Sequence, residues 1–597
     1  MIKVGPAKPR ETGYFQRHAM STVSFELTLR CCSILMKSKR QKMSSSIISE
    51  AEYYDLGSYS RTITTTIEDA QKWFDRGLVW TYAFNHEEAA QCFEKAITAD
   101  PNCAMAYFGL AYTLGPNYNK PWEAFDGEDI VMSMDRAHRA AAQAKEKSAS
   151  ASPIEYALID AVQLRYPKLW SPNDDFSVWN WEYAKEMESV YEKFSEDLDV
   201  SALYADSLMN LTPWKLWGLA DGQPEKGSRT LETKEVLERA LSTDAGLQHP
   251  GLLHLYIHLM EMSSTPEIAL TIADNLRGLV PDSGHLNHMP THLDILCGDY
   301  RRAIASNLES IHADEKFLAH AGPLNFYTLY RCHNYHFLIY AAMFSGQSKI
   351  ALQFVTQLEN TIPEILLRIK SPCMADWLEG FLGTRTHVLI RFGRWQDLLD
   401  APVPKDSRLY CTTTAMVHYG KGVALAATGK IEEAEKERQL FHEAVKEVPC
   451  SRTLFNNTCV DILAVASAML DGELAYRQRD FDTAFSELRR SIKLDDELPY
   501  DEPWGWMQPT RHAYGALLLE QNKFEEAASI YCADLGMDDT LPRAKRHPNN
   551  VWALHGYHES LMKLGKVSEA GIIKPQLRLA LAVADVPVKS SCFCRLG

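Results

Sequence analysis

A 34-residue register runs through this sequence and leaves it few folds to adopt. With Ala70 as position 1, Trp73, Gly77 and Trp80 fall at positions 4, 8 and 11. Ala89, Phe93, Ala96 and Pro101 fall at positions 20, 24, 27 and 32. Small residues at 8 and 20 let two antiparallel helices approach, large ones fill the space between them, and the proline stops the second helix. The register returns at Pro250, with Ala269, Ala273, Leu276 and Pro281, and at Gly284, with Tyr300 and Ala303. A further unit near Cys332 carries Ala351, Val355, Leu358 and Pro363. The stretches FGRWQDLL, TGKIEEA, QRDFDTA, QNKFEEA and LGKVSEA read as the turns of later units, and NHEEAAQCF as an earlier one with His86 at its tight-turn position.

This is the period of a tetratricopeptide-type helix-turn-helix repeat. The predicted fold is all-α, a right-handed helical solenoid with insertions. Residues 1–51 read as a disordered or non-structural extension, and 52–122 as the first repeats. Residues 123–248 are helical but irregular, with loops at SPNDDF and DGQPEKGS. A second solenoid segment spans 249–580, and 581–597 reads as a flexible tail.

Composition narrows the function. Lys plus Arg number 62 against 78 Asp plus Glu, a net charge of −16. Such a chain is not expected to bind nucleic acid or an anionic membrane surface through general electrostatics. No apolar run is long enough to span a bilayer. The 13 cysteines show no CxxC knuckle or dense framework spacing and read as free thiols in a cytoplasmic, reducing compartment.

The histidines are not scattered. His254 and His258 form an i,i+4 pair, and His288 and His292 repeat it 34 residues later. Four apart on a helix is one face. In such solenoids positions 2, 5, 9 and 12 of the first helix line the concave groove. Position 5 holds His254, His288, His336, His512 and His555; position 9 holds His258, His292 and His387; position 2 holds His285 and His333. Ten of the 20 histidines thus fall on the predicted lining, in a frame set by Ala, Gly and Pro. Neutral imidazole suits Zn, Cu or Fe, so His254, His258, His288 and His292 are the predicted metal ligands. No HExxH accompanies them. Pro290 lies between His288 and His292, so a helix that begins before Asn287 is expected to kink there.

Around this quartet, His285, His333 and Asp206 are the candidate catalytic or ligand-orienting groups. His336, His387, Glu502, Arg511 and His512 are candidates for substrate binding. Glu502, Arg511 and His512 stand in YDEPWGWMQPTRHAYGALLLEQ, whose aromatics and arginine suit an anionic or planar ligand but equally pin an inserted loop.

The segments LLHLYIHLMEM, with His254, His258 and Glu261, and RCHNYHFLIYAAMFSG, with Cys332, His333, Asn334, Tyr335 and His336, resemble a family of large, divergent tetratricopeptide proteins. That family includes the animal tetratricopeptide repeat protein 38, and the likeness spans roughly residues 52–575. Leu259 and Met260 stand where the animal motif has Ile and His, so no third histidine follows His258. Fungal relatives often accompany biosynthetic genes, which implies a role in specialised (secondary) metabolite biosynthesis.

Two functions remain open on the residues alone. One is a metal-dependent enzyme acting on a small organic molecule in the groove. The other is a scaffold that clasps a peptide or partner protein there. Converging imidazoles are expected of the first, and imidazoles spread along the groove of the second.

Overall fold

The structure is a computed structural model and describes residues 53–169 and 175–595. The extension expected over residues 1–51 lies outside them. Apart from a short antiparallel pair, β1 (Thr453–Leu454) and β2 (Asn457–Thr458), the regular elements among the described residues are helical. The described residues from 54 onward form one compact unit.

The chain opens with α1 (Glu68–Tyr82) and α2 (His86–Ala99), an antiparallel pair continued by α3 (Ala104–Thr113). The irregular stretch folds as α4 (Gly127–Glu146), α5 (Pro153–Arg165), α6 (Ser177–Phe194), α7 (Leu198–Met209) and α8 (Thr230–Leu241). The centre is built from α9 (Pro250–Glu261), α10 (Gly284–His288), α11 (Pro290–Leu296), α12 (Tyr300–Ala321), α13 (Thr328–Phe344), α14 (Ser348–Asn360) and α15 (Thr384–Arg391). The chain then runs through α16 (Cys411–Ala427), α17 (Ile431–Lys446), α18 (Cys459–Arg477), α19 (Phe481–Asp496), α20 (Thr510–Glu520), α21 (Phe524–Asp534), α22 (Val551–Lys563) and α23 (Val567–Val583). In this part, α16 packs on α17, α18 on α19, α20 on α21 and α22 on α23.

The repeat register works sterically as its residues imply. The Phe93 ring sits against both Gly77 and Gly109, where an added Cβ would lie 2.8 and 2.3 Å from it. The same device recurs late in the chain. Tyr531 fills the space beside Gly515 and Gly556, with approaches of 2.4 and 2.3 Å. A left-handed residue closes each tight turn. Gly298, Gly346, Gly393, Gly429 and Gly565 serve at some of these turns, and Phe84, Arg479 and Asn522 at others. His86 is therefore not the tight-turn residue. It begins α2, and the positive φ of 55° falls on Phe84.

Helix α9 is buried on every side, the face that carries His254, His258 and Glu261 included. Pro250 opens it at a position where a missing N–H costs nothing, and the Leu252 N–H donates to His249 Nδ1 at its start. Helix α13 is buried almost throughout. The predicted open groove is absent along α9 and α13, because segments that break the repeat rhythm fold into it. Tyr118 and Trp214 lie against His258 of α9 and Phe455 against His333 of α13, while the buried stretch 500–510 meets His292 of α11 through Glu502 and His387 of α15 through Trp506.

The segment expected as a flexible tail is folded over 581–595. Backbone N–H groups of Ser348 and Lys349 donate to the Asp585 carboxylate at 2.7 and 2.9 Å. Arg391 donates to the Ser591 carbonyl at 2.9 Å, and Ser591 and Cys594 are buried. Cys592 and Cys594 are disulfide-bonded, which corrects the free-thiol reading at that pair; Cys103, Cys297, Cys332, Cys373, Cys411, Cys450, Cys459 and Cys532 are free thiols.

Candidate metal centre

Helices α9, α10, α11 and α13 bring six histidines together. His254, His258 and Glu261 share one face of α9, being four and three residues apart. Pro290 does interrupt the next helix, which breaks at Met289 into α10 and α11. The imidazoles nevertheless meet: His288 Nε2 lies 2.7 Å from His292 Nε2. From α13, His333 Nε2 approaches the same His292 atom at 3.4 Å.

Two histidine trios result. In each of His254–His258–His285 and His288–His292–His333, one ligand atom per residue lies within 4.8 Å of the others. His258, Glu261 and His292 form a third such group, which joins the two. All six rings are withdrawn from solvent, with His333 the most exposed at 7%.

The hydrogen bonds assign the ring protons. The Tyr82 carbonyl can only accept, so His254 donates to it from Nδ1 at 2.6 Å. The Asn307 amide nitrogen donates to the Ala303 carbonyl at 2.8 Å, which leaves Asn307 Oδ1 to accept from His288 Nδ1 at 2.7 Å. The Glu261 carboxylate faces His258 Nδ1 at 3.0 Å and His292 Nδ1 at 2.8 Å. Glu502 also contacts His292 Nδ1, and the Tyr500 hydroxyl donates to Glu502. With Nδ1 tied in this way on His254, His258, His288 and His292, Nε2 is the nitrogen each of these four rings leaves for a ligand role, the arrangement by which outer partners orient metal-binding histidines. Nε2 of His254 and His258, both ring nitrogens of His285 and Nδ1 of His333 have no hydrogen-bond partner. Buried polar atoms left so are costly and call for an explanation.

Electrostatics points the same way. Burial holds His254 down to about 3 and pushes His258, His285, His288 and His333 well below the usual imidazole range. These five are neutral, the form that ligates metals. Burial opposes charge on His292 as well, yet Glu502 and Glu261 raise it to about 10. Burial and the Glu502 carboxylate push Glu261 well above the usual carboxylate range. A doubly protonated His292 donates from Nε2 to His288. A neutral His292 leaves two lone pairs 2.7 Å apart. In both cases a positive charge belongs between those nitrogens.

Aromatic rings wall the centre. Phe84 lies 4.4 Å from His254, Tyr118 5.0 Å and Trp214 5.9 Å from His258, Phe337 4.7 Å from His288, and Phe455 4.9 Å from His333, measured between ring centroids. Phe84, Trp214 and Phe455 adopt φ of 55°, 60° and 49°. Non-glycine residues rarely take this left-handed conformation, and bulky ones least of all.

Of the predicted site residues, the structure unites His254, His258, His285, His288, His292, His333 and Glu502. The others lie apart. Asp206 accepts from the Tyr112 hydroxyl at 2.5 Å near Arg165, and burial raises its carboxyl. His336 packs edge-on to Phe381, and His387 edge-on to Trp506. Arg511 is forked onto Asp496 at 2.6 Å, and His512 lies between Arg391 and Asp534. Arg511 and His512 are thus paired with acidic partners, whereas both ring nitrogens of His336 and Nδ1 of His387 are buried without a hydrogen-bond partner; none of the four belongs to the two trios. Glu261 lies outside the predicted set, although its place three after His258 puts it on the histidine face. Phe84, in the turn of the first repeat, and Tyr118, Trp214 and Phe455, in connecting segments, carry no signal of their own in the sequence.

Fold and repeat together define the class: an all-α helical-repeat protein of the tetratricopeptide type, with a histidine cluster buried inside it. A family model described as a tetratricopeptide repeat matches residues 73–103. No curated protein matches the sequence. Among solved structures, the APC/C hetero-tetramer Cut9–Hcn1 is similar at 12% identity, over 82% of this chain and 76% of that one, with a TM-score of 0.29. Yeast Tom70 is similar at 12% identity, over 87% and 93% of the two chains, with a TM-score of 0.26.

Proposed function

We propose that this protein is a metal-dependent enzyme that binds a transition metal through its buried histidines and acts on a small organic molecule. The observation that carries the reading is the set of Nε2 atoms on His254, His258, His288 and His292, each freed by a partner at Nδ1. Imidazole-held iron, copper or zinc supplies Lewis-acid activation of water or, for iron and copper, dioxygen chemistry. The chain's own contribution is to fix the imidazoles through Tyr82, Glu261 and Asn307 and to hold bulk solvent away with the aromatic wall. A low-dielectric surround of this kind strengthens every charge interaction within it. A place in specialised metabolism rests on the family resemblance.

A peptide-clasping groove requires imidazoles spread along an exposed surface, and these six are buried and converge. The exposed faces of the repeats still suit a protein partner, a role compatible with the buried centre. Elemental analysis of protein purified without a histidine tag tests the reading. A stoichiometric transition metal is expected, and the double variant His254→Ala, His288→Ala is expected to lose most of it with its helical spectrum retained. Absence of metal, with stability indifferent to chelators, would overturn the proposal.

A further inference from the structure

We infer that the centre takes two metal ions side by side, one on each histidine trio, with Glu261 as the brace common to both. This rests on the metal reading above and goes beyond it in number and arrangement. A single ion leaves too many nitrogens unexplained. Catalytic sites of the zinc type use three protein ligands and keep a fourth position open, and each trio is by itself a complete set of three. His254, His258 and His285 retain four partnerless ring nitrogens among them. The second trio gathers the Nε2 atoms of His288, His292 and His333. An ion on the second trio does nothing for the four partnerless nitrogens of the first, and an ion on the first leaves His288 Nε2 and His292 Nε2 facing each other at 2.7 Å.

The anionic groups also fit a pair. Two dications in a water-excluded site need opposite charge close by. Glu261 reaches one histidine of each trio with one oxygen apiece, at 3.0 Å to His258 and 2.8 Å to His292. Glu502 adds a second carboxylate at His292. Because Glu261 contacts the Nδ1 atoms, it is a positioning residue: it orients His258 and His292 together and so ties the two sites to one element, α9.

The test is a metal count on the full chain. Metal-free protein is titrated with Zn²⁺ and, in parallel, with Co²⁺, whose visible bands report nitrogen coordination. Two ions per chain are expected. The double variants His254→Gln, His285→Gln and His288→Gln, His333→Gln are each expected to retain one ion, with Co²⁺ bands that differ between them. A wild-type count of one overturns the pair while leaving the metal reading intact, and a count of none overturns both. Far-UV spectra accompany each variant. Should a variant fail to fold, the wild-type count decides alone.

Discussion

Glu261 is the residue on which the geometry of the centre turns, since its carboxylate reaches a histidine of each trio. Outer-sphere partners of this kind are worth roughly 10- to 100-fold in metal affinity. Glu261→Gln is therefore expected to weaken binding by about that factor, measured against a competing chelator, with helicity unchanged. Phe84 makes a second case. It holds a left-handed turn position that glycine fills in several other repeats, and its ring covers His254, His258 and His285. Phe84→Gly removes backbone strain and opens the wall, so a chelator is expected to extract metal several-fold faster from a protein that is still folded. Asp314 carries a pH signature independent of the metal. Burial raises its carboxyl from the usual value of 3.8 to about 7. A carboxyl whose folded value lies above its unfolded one contributes stability at low pH that is lost as pH rises through the folded value. Relative to Asp314→Asn, the wild type is expected to lose melting temperature between about pH 4 and pH 7 and to change no further above that.

The helical hairpins were legible because their signal is local. The Gly/Ala/Pro register reports close approach between neighbouring helices, and the i,i+4 spacing of His254 with His258 and of His288 with His292 places each pair on one face wherever the helix lies. What fills the space between distant repeats is not local. Trp214 and Glu502 reach the histidines from loops far away in sequence, and no periodicity in those loops foretells it. For the same reason His336, His387 and His512 share the register yet face Phe381, Trp506 and Asp534. Register gives the face of a helix, while its neighbours decide what that face meets. Tyr531 tests the packing itself. Gly515→Ala drives a methyl group into its ring and is expected to cost about 1–3 kcal/mol, read from denaturant unfolding. At Gly571, exposed on α23 with no atom within 4 Å of an added Cβ, the same change is expected to stabilise by up to about 1 kcal/mol.

Across the whole molecule, the repeats act as a frame and the interruptions as its filling. The tail belongs to the frame. Asp585 anchors it to the start of α14, the Ser591 hydroxyl donates to the His512 carbonyl, and Arg595 pairs with Glu559. Truncation after Val583 is expected to lower the melting temperature by several degrees, and an unchanged value would show that these contacts contribute nothing. At the middle of the molecule stands the centre itself, where α9, α10, α11 and α13 bring their buried histidines together. X-ray absorption at the edge of the metal that co-purifies with the untagged protein examines that centre directly. A first shell of nitrogen at about 2.0–2.1 Å is expected, with the outer scattering of imidazole rings. A shell of sulfur, or of oxygen without imidazole, would contradict it.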